Sequence, residues 1–151
     1  MRKTLFVLIL LAPLLVFSQR TILHCGRLID VKSGTLLNEY SVIVENEKIV
    51  AVERGYTKAS STDKVIDLKS KTVMPGLIDC HVHMEHETNP NQYMETFTLN
   101  PADYAFLSVV FSERTLMAGF TTVRDLGGSG VNISLRNAIN KKLIKGPRVY
   151  T

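Results

Sequence analysis

Short apolar runs separated by turn residues fill the first half of the chain. Six runs rich in β-branched and aliphatic side chains each predict a strand, at residues 21–25, 27–31, 40–45, 48–53, 64–67 and 72–74. The Asn46–Glu47 pair lies between two of them and predicts a hairpin turn, because Asn tolerates a positive φ. We therefore predict a small antiparallel β module over residues 19–72.

After Met74, Pro75 and Gly76 the pattern changes. The nearly continuous apolar run 77–83 predicts a strand buried on both faces, and the polar stretch 85–99 predicts a loop. Asn100 and Pro101 predict a helix start as N-cap and first helical residue, with Gly119 ending that helix. A second strand (120–126), a second helix (132–144) and a third strand from 148 follow. This alternation predicts the start of a parallel sheet or barrel over residues 73–151.

The first eighteen residues have the pattern of a signal peptide. Arg2 and Lys3 precede thirteen consecutive apolar residues, which is fewer than the roughly 20 needed to span a bilayer. The small residue Ser18 suits a cleavage site before Gln19. We therefore expect an exported protein with no stable membrane anchor.

The basic charge carries little functional weight. Removing Arg2 and Lys3 with the signal lowers the formal net charge from +4 to +2, and no basic patch with interleaved aromatic residues remains, so nucleic-acid binding is excluded. A content of 45% hydrophobic residues with two cysteines also excludes a disordered chain and a disulfide-rich scaffold. We expect Cys25 and Cys80 to be two buried thiols rather than a disulfide.

His81 and His83 are the most informative residues. Side chains alternate along a strand, so both imidazoles point the same way at its carboxyl end, where parallel barrels keep their active sites. Two convergent neutral imidazoles suit chelation of a Zn²⁺-like ion. Asp79 shares their parity and is a candidate to orient one of the rings.

Three further residues are weaker candidates at the same edge. His86 follows in the polar stretch, within reach of the histidine pair. Arg124 and Asp125 end the second strand, where Arg124 is a candidate for a substrate carboxylate and Asp125 for hydrogen bonding at the rim; a salt bridge between the two is the alternative. The loop 127–130 lacks the Lys-Ser/Thr pair of a phosphate-binding loop and is interpreted as a flexible βα loop.

Two motifs resemble a known family. The run Val-Met-Pro-Gly-Leu-Ile-Asp-Cys-His-Val-His at 73–83, following a small β module, resembles the metal-dependent amidohydrolase superfamily. The run Gly-Phe-Thr-Thr-Val-Arg-Asp-Leu-Gly-Gly at 119–128 is similar to the branch with imidazolonepropionase-like enzymes and Xaa-Pro dipeptidases (prolidases). The turn at Asn46–Glu47 departs from the family, which usually has Gly there.

The resemblance implies an α/β fold in which a composite β-sandwich packs on a (β/α)8 TIM-like barrel. It implies His81 and His83 as ligands of one or two ions of Zn²⁺ or a similar divalent metal. The metal activates water to hydrolyse a C–N bond in an amide, peptide-like or cyclic-amide substrate, which is a small molecule or dipeptide. The remaining ligands (a Lys and two His) and an Asp base match no position in this sequence.

The 79 residues from Val73 to Thr151 compare with roughly 250 for a whole barrel. We therefore expect an incomplete barrel, an N-terminal portion that is inactive by itself. Two alternatives stay open: a deaminase-type amidohydrolase, and a non-catalytic secreted β module that binds a partner or carbohydrate. The sequence also leaves the quaternary structure open, with a homo-oligomer as one alternative.

Overall fold

The computed structural model describes residues 20–151, which divide into two compact units. The first unit ends at Met74 and the second spans Pro75–Thr151. The sequence places this boundary after residue 72, just before the last residue of the final strand of the first unit. The predicted signal peptide, residues 1–18, lies outside the described residues.

The first unit is a four-stranded sheet with the strand order β3-β2-β1-β4. Its strands are β1 (Thr21–Asp30), β2 (Thr35–Glu45), β3 (Lys48–Arg54) and β4 (Lys64–Val73). The neighbours β1–β2 and β2–β3 are antiparallel, but β4 runs parallel to β1. The prediction of a wholly antiparallel module is therefore wrong, and the six predicted runs form four longer strands.

Two contacts between the segments of β1 and β4 favour the parallel pairing of these strands and their length. Arg20, just before β1, donates from Nε and Nη2 to the two carboxylate oxygens of Asp63, just before β4, at 3.0 and 2.8 Å. This paired contact aligns the two strand starts. At Gly26 the register of β1 against β4 shifts, and a side chain there would overlap the carbonyl of Lys69. The extra residues of this bulge, 69–71, lie in β4, and Gly26 makes room for them, so that β1 continues where the pattern predicts an interruption.

The predicted hairpin turn is confirmed between β2 and β3. Glu45 pairs with Lys48, and the two residues between them, Asn46 and Glu47, have φ values of 48° and 64°. Two positive φ angles are the signature of the turn whose twist matches the flanking strands. Glu47 therefore adopts a conformation for which glycine has less strain.

The sheet buries a cluster formed by Cys25, Leu28 and Val42. On β3, in contrast, Ile49, Val50 and Val52 are exposed. Within residues 20–151 this unit holds one sheet, so a second sheet of the expected sandwich is not among the described residues.

The second unit alternates strands and helices as predicted. Its elements are β5 (Leu77–Val82), α1 (Gln92–Thr98), α2 (Pro101–Met117), β6 (Phe120–Asp125), α3 (Val131–Asn140) and β7 (Arg148–Tyr150). The strands form one parallel sheet in the order β5-β6-β7. This arrangement confirms the predicted α/β class, with three of the eight parallel strands that close a barrel among the described residues.

The start of α2 agrees with the sequence in detail. Asn100 accepts hydrogen bonds from the backbone of Ala102 and Asp103, and the Asp103 side chain accepts from the Asn100 backbone at 2.9 Å. This reciprocal capping box satisfies the first free N–H groups of the helix. Among the described helices, none combines the length and apolar character needed to cross a membrane.

Two helix predictions are corrected. The stretch 85–99, predicted as a loop, contains α1, a short helix that buries none of its residues, so that its apolar side chains Tyr93, Met94 and Phe97 are exposed. Helix α3 ends at Asn140 rather than at residue 144, because Lys142 has φ 57° and the Leu143 N–H turns back to the carbonyl of Ala138. A left-handed residue after a helix terminates it.

The core of this unit lies around β6, the middle strand of its sheet. Met84, Val123, Leu135 and Val149 form the buried cluster, and Val82 packs against it. The earlier part of β5 lies outside that cluster, so Ile78 is 67% exposed and Cys80 is exposed too. The predictions of a strand buried on both faces and of a buried Cys80 are therefore wrong, whereas both thiols are free as expected.

Candidate functional site

Three histidines lie together at the carboxyl end of β5. The ring centroids of His81 and His83 are 5.5 Å apart, with their planes at 69°. His86 stacks on His83 with centroids 5.9 Å apart and planes within 9°. The strand thus places the predicted pair at the expected edge, and the following turn brings the third ring beside it.

A backbone carbonyl holds the ring of His83. Its Nδ1 lies 2.9 Å from the carbonyl oxygen of Gly127, in the loop after β6. Because a carbonyl only accepts, Nδ1 carries the proton, and in the neutral ring Nε2 is then the nitrogen with the lone pair. Histidines that bind metals are oriented in this way by their second nitrogen.

The geometry of the pair fits two ligands of one ion. Two imidazoles that share a tetrahedral Zn²⁺ at about 2.0–2.1 Å hold their centroids roughly 5 Å apart. His81 and His83, at 5.5 Å, are close to that separation. Residues 20–151 hold no group of three or more His, Cys, Asp or Glu side chains that could bind a metal, so the described part of the chain supplies only a partial ligand set.

Asp79 contacts the backbone of His81, the first histidine of the pair. Its carboxylate accepts a hydrogen bond from the backbone N–H of His81 at 2.9 Å. The register of β5 against β6 shifts between Asp79 and Val82, where this contact lies. The carboxylate therefore shapes the strand that carries His81, and its role as an acceptor for a histidine ring stays a prediction.

Asp125 is 3% exposed and ties together the segments around the site. It accepts hydrogen bonds from the backbone of Met84 at 3.0 Å and of Gly127 at 3.1 Å, and from the Asn132 side chain at 3.4 Å. Arg124 is exposed, and within residues 20–151 no ion pair joins it to Asp125. Asp125 thus links the end of β5, the loop after β6 and α3.

Glu85 is a site residue that sequence reasoning missed. It is 4% exposed, and its carboxylate accepts from the backbone N–H groups of Ser129, at 3.0 and 2.9 Å, and of Asn132, at 2.8 Å. Burial pushes its pKa upward, but the hydrogen bonds from Ser129 and Asn132 outweigh burial and hold the pKa below its usual value.

Glu85 does for α3 what a local cap does elsewhere. Gly130, the N-cap residue of α3, has no side chain, so the carboxylate of a distant residue accepts the free N–H of Asn132. The sequence contained one signal of this arrangement. The helix begins after glycines, which have no side chain to accept its first N–H groups. Nothing in the sequence indicated that Glu85 would be the acceptor.

A cleft of about 350 Å³ opens beside His86. Helices α1 and α2 contribute to its wall, and Tyr104 of α2 donates to the carbonyl of Glu95 of α1 at 3.3 Å. The residues that line the cleft are Glu85, His86, Gln92, Glu95, Thr96, Tyr104, Gly128 and Ser129. The cleft lies between His86 and α1, the helix that the sequence did not predict.

Comparison with known proteins decides the family. The model of the amidohydrolase family matches residues 72–151, which include the histidine pair, the loop after β6 and all three parallel strands. The chain belongs to the amidohydrolase family. The resemblance seen in the two motifs is thereby confirmed.

Several known enzymes are similar to this chain. Ochratoxinase from Aspergillus niger is 31% identical over 140 residues, which is 87% of this chain and 27% of the enzyme. Imidazolonepropionase from Photorhabdus laumondii is 38% identical over 73 residues, 48% of this chain and 17% of the enzyme. A crystal structure of a Xaa-Pro dipeptidase with methionine bound in its active site superimposes with a TM-score of 0.80 at 35% identity, over 87% of this chain and 32% of that one. The chain thus spans about a third or less of the length of these relatives.

Proposed function

We propose that this amidohydrolase is a metal-dependent hydrolase of C–N bonds in amide or peptide-like substrates. The observation that carries the proposal is the pair His81 and His83, whose rings lie at a separation suited to one ion, with the Nδ1 of His83 held by the Gly127 carbonyl. We do not expect surface histidines without a function to combine this distance between rings with a ring nitrogen held by a backbone carbonyl.

His81 and His83 would hold Zn²⁺ or a similar divalent ion. The ion supplies Lewis-acid chemistry, activating water and polarising the carbonyl of the scissile bond. The residues of this chain bind and orient: Asp79 accepts from the backbone N–H of His81, and the Gly127 carbonyl favours the tautomer of neutral His83 that has its proton on Nδ1. The number of ions, one or two, depends on ligands beyond this pair.

A small peptide-like substrate suits the cleft beside His86. The cleft of about 350 Å³ has the size of sites that bind small molecules, and its wall presents the polar side chains of Glu95 and Gln92. Among the relatives, the Xaa-Pro dipeptidase is named for a dipeptide substrate. We infer that the substrate is a dipeptide or another small amide.

The test uses the purified full-length protein and a panel of dipeptides that includes Xaa-Pro. We expect turnover that a chelator abolishes and added Zn²⁺ restores. We also expect His81→Ala and His83→Ala to lose it, while His24→Ala, a substitution in the first unit, keeps it. Turnover that resists the chelator, or that survives His83→Ala, would falsify the proposal. Release of ammonia from aminopurines without dipeptide cleavage would favour the deaminase alternative.

We also propose that the protein is exported. The support is the sequence of residues 1–18, with two basic residues followed by an apolar run. N-terminal sequencing of the protein purified from its own host is expected to begin at Gln19. A mature chain that still begins at Met1 would contradict export by this route.

A further inference from the structure

The carboxylate of Glu85 joins the two segments that meet at His83. Glu85 lies two residues beyond His83 in the chain, and its hydrogen bonds go to Ser129 and Asn132, more than forty residues away. It is buried, and both of its carboxylate oxygens accept hydrogen bonds from backbone N–H groups. This pattern is typical of a group that holds a loop in place.

The loop that it holds has little to fix its own conformation. Gly127 and Gly130 have φ values of 154° and 103°, conformations that residues with side chains rarely adopt. A side chain at Gly128 would overlap the Glu85 carboxylate, so the loop approaches that carboxylate as closely as its backbone permits. A segment with this glycine content is flexible unless other residues anchor it.

The loop in turn positions His83. Two residues before Ser129, the Gly127 carbonyl bonds to the Nδ1 of His83, and so any shift of the loop moves that oxygen. Asp125 holds the Gly127 N–H, and Glu85 holds the other end of the loop through Ser129. These contacts form a closed circuit. Glu85 bonds to Ser129, Gly127 of the same loop bonds to His83, and two residues of chain connect His83 back to Glu85.

From this circuit we propose that Glu85 is a positioning residue for His83: it fixes the Gly127 carbonyl that selects the tautomer and direction of the ring. The proposal rests on the proposed function in so far as His83 is a metal ligand. Glu85 touches neither ring nor substrate in this role. It acts through the loop, as groups beyond the ligands do in metal sites.

A purely structural role makes a different prediction. If Glu85 only capped α3, its loss would lower the free energy of unfolding and leave the His83 tautomer and metal affinity of the folded protein unchanged. The positioning role requires both properties to change in protein that is still folded. Measurements on the ring and on metal binding therefore separate the two.

The experiment compares Glu85→Ala with the matched control Glu87→Ala in the full-length protein. Glu87 lies in the same segment but is exposed, and it forms an ion pair with Arg114. Co²⁺ affinity is measured by competition with a chelator, and the protonation of the His83 nitrogens is measured by 15N NMR of the metal-free protein. We expect Glu85→Ala to weaken Co²⁺ binding by about 10–100-fold and to replace the Nδ1–H form of His83 by a tautomer mixture.

Glu87→Ala should leave both readouts unchanged, because an exposed ion pair contributes little. Glu85→Gln should restore part of the wild-type behaviour: an amide oxygen in the place of Oε1 can accept from both Ser129 and Asn132, but the NH₂ group in the place of Oε2 then lies against the Ser129 N–H. If Glu85→Ala does not fold, Gly128→Ala takes its place, because the added methyl group displaces the same carboxylate. Circular dichroism establishes that each variant is folded.

Different results would refute the positioning role of Glu85 and the proposed function. A folded Glu85→Ala or Gly128→Ala protein with the wild-type His83 tautomer and Co²⁺ affinity would overturn the positioning role. If instead the wild-type protein binds no Co²⁺ at His81 and His83, the proposed function fails. The NMR arm then still decides whether Glu85 sets the His83 tautomer.

Discussion

Replacing Asp125 by Asn tests whether one buried carboxylate holds the site's segments together. Its Oδ2 accepts from the backbone of Met84 at 3.0 Å, and its Oδ1 accepts from the backbone of Gly127 at 3.1 Å and from the Asn132 side chain at 3.4 Å. Asn is nearly the same size, but one of its two terminal atoms is a donor. Either orientation of the amide therefore points an NH₂ group at a buried backbone N–H.

The magnitude follows from the better of the two orientations. With the NH₂ group toward Met84, the bond at Oδ2 is lost and the two at Oδ1 become neutral ones. A hydrogen bond to a charged group contributes about 1.5–3 kcal/mol, and a buried donor left without an acceptor costs about 1–3 kcal/mol. We expect the free energy of unfolding of this unit to fall by about 3 kcal/mol, which is roughly two powers of ten in the opening equilibrium.

The assay is amide hydrogen exchange of the full-length, metal-free protein, followed at Met84 and Gly127, together with urea unfolding. Arg124→Gln, at the adjacent exposed position, is the matched control and should change stability by less than about 0.5 kcal/mol. If Asp125→Asn leaves the Met84 amide as protected as in the wild type, the carboxylate does not hold these segments and the reasoning is wrong.

Three further predictions concern stability. Gly26→Ala should destabilise the first unit by about 3 kcal/mol or more, because its methyl group meets the rigid carbonyl of Lys69, and urea unfolding checks this loss. Asn100→Ala should cost about 1 kcal/mol in a thermal unfolding experiment, since it removes the cap of α2; no change in melting temperature would contradict that. The Arg20 side chain, hydrogen-bonded to Asp63, holds the pKa of that carboxyl well below its usual value of 3.8. The contribution of the pair is therefore complete above about pH 4 and is lost as the pH falls through the lowered pKa, so stability should drop less steeply on acidification in Asp63→Asn than in the wild type.

Elements whose determinants lie close together in the chain were predictable. Asn100 and Pro101 start α2 because a cap needs only the next three residues, and Asn46 makes its turn because the two-residue loop depends on local φ angles. The alternation along a strand likewise brought His81 and His83 together. The parallel order of the second unit followed from the strand–helix alternation, since such connections have few topologies.

Features that depend on partners distant in the chain were not predictable. Strand β4 pairs with β1 in parallel, aided by the contact between Arg20 and Asp63, which are 43 residues apart. Within residues 20–151, Cys80 is exposed on β5, the edge strand of its sheet, and the apolar run alone did not indicate which strand would lie at an edge. Tertiary packing decided both.

The candidate site shows the same division. The residue types and spacing of the chain already indicated the two imidazoles and the metal chemistry that they favour. Only the folded structure placed the Gly127 carbonyl on His83 and the Glu85 carboxylate on the loop beyond it. The physical reason is that a ligand's identity is a local property of the sequence, whereas its orientation depends on hydrogen bonds that join segments 44 residues apart.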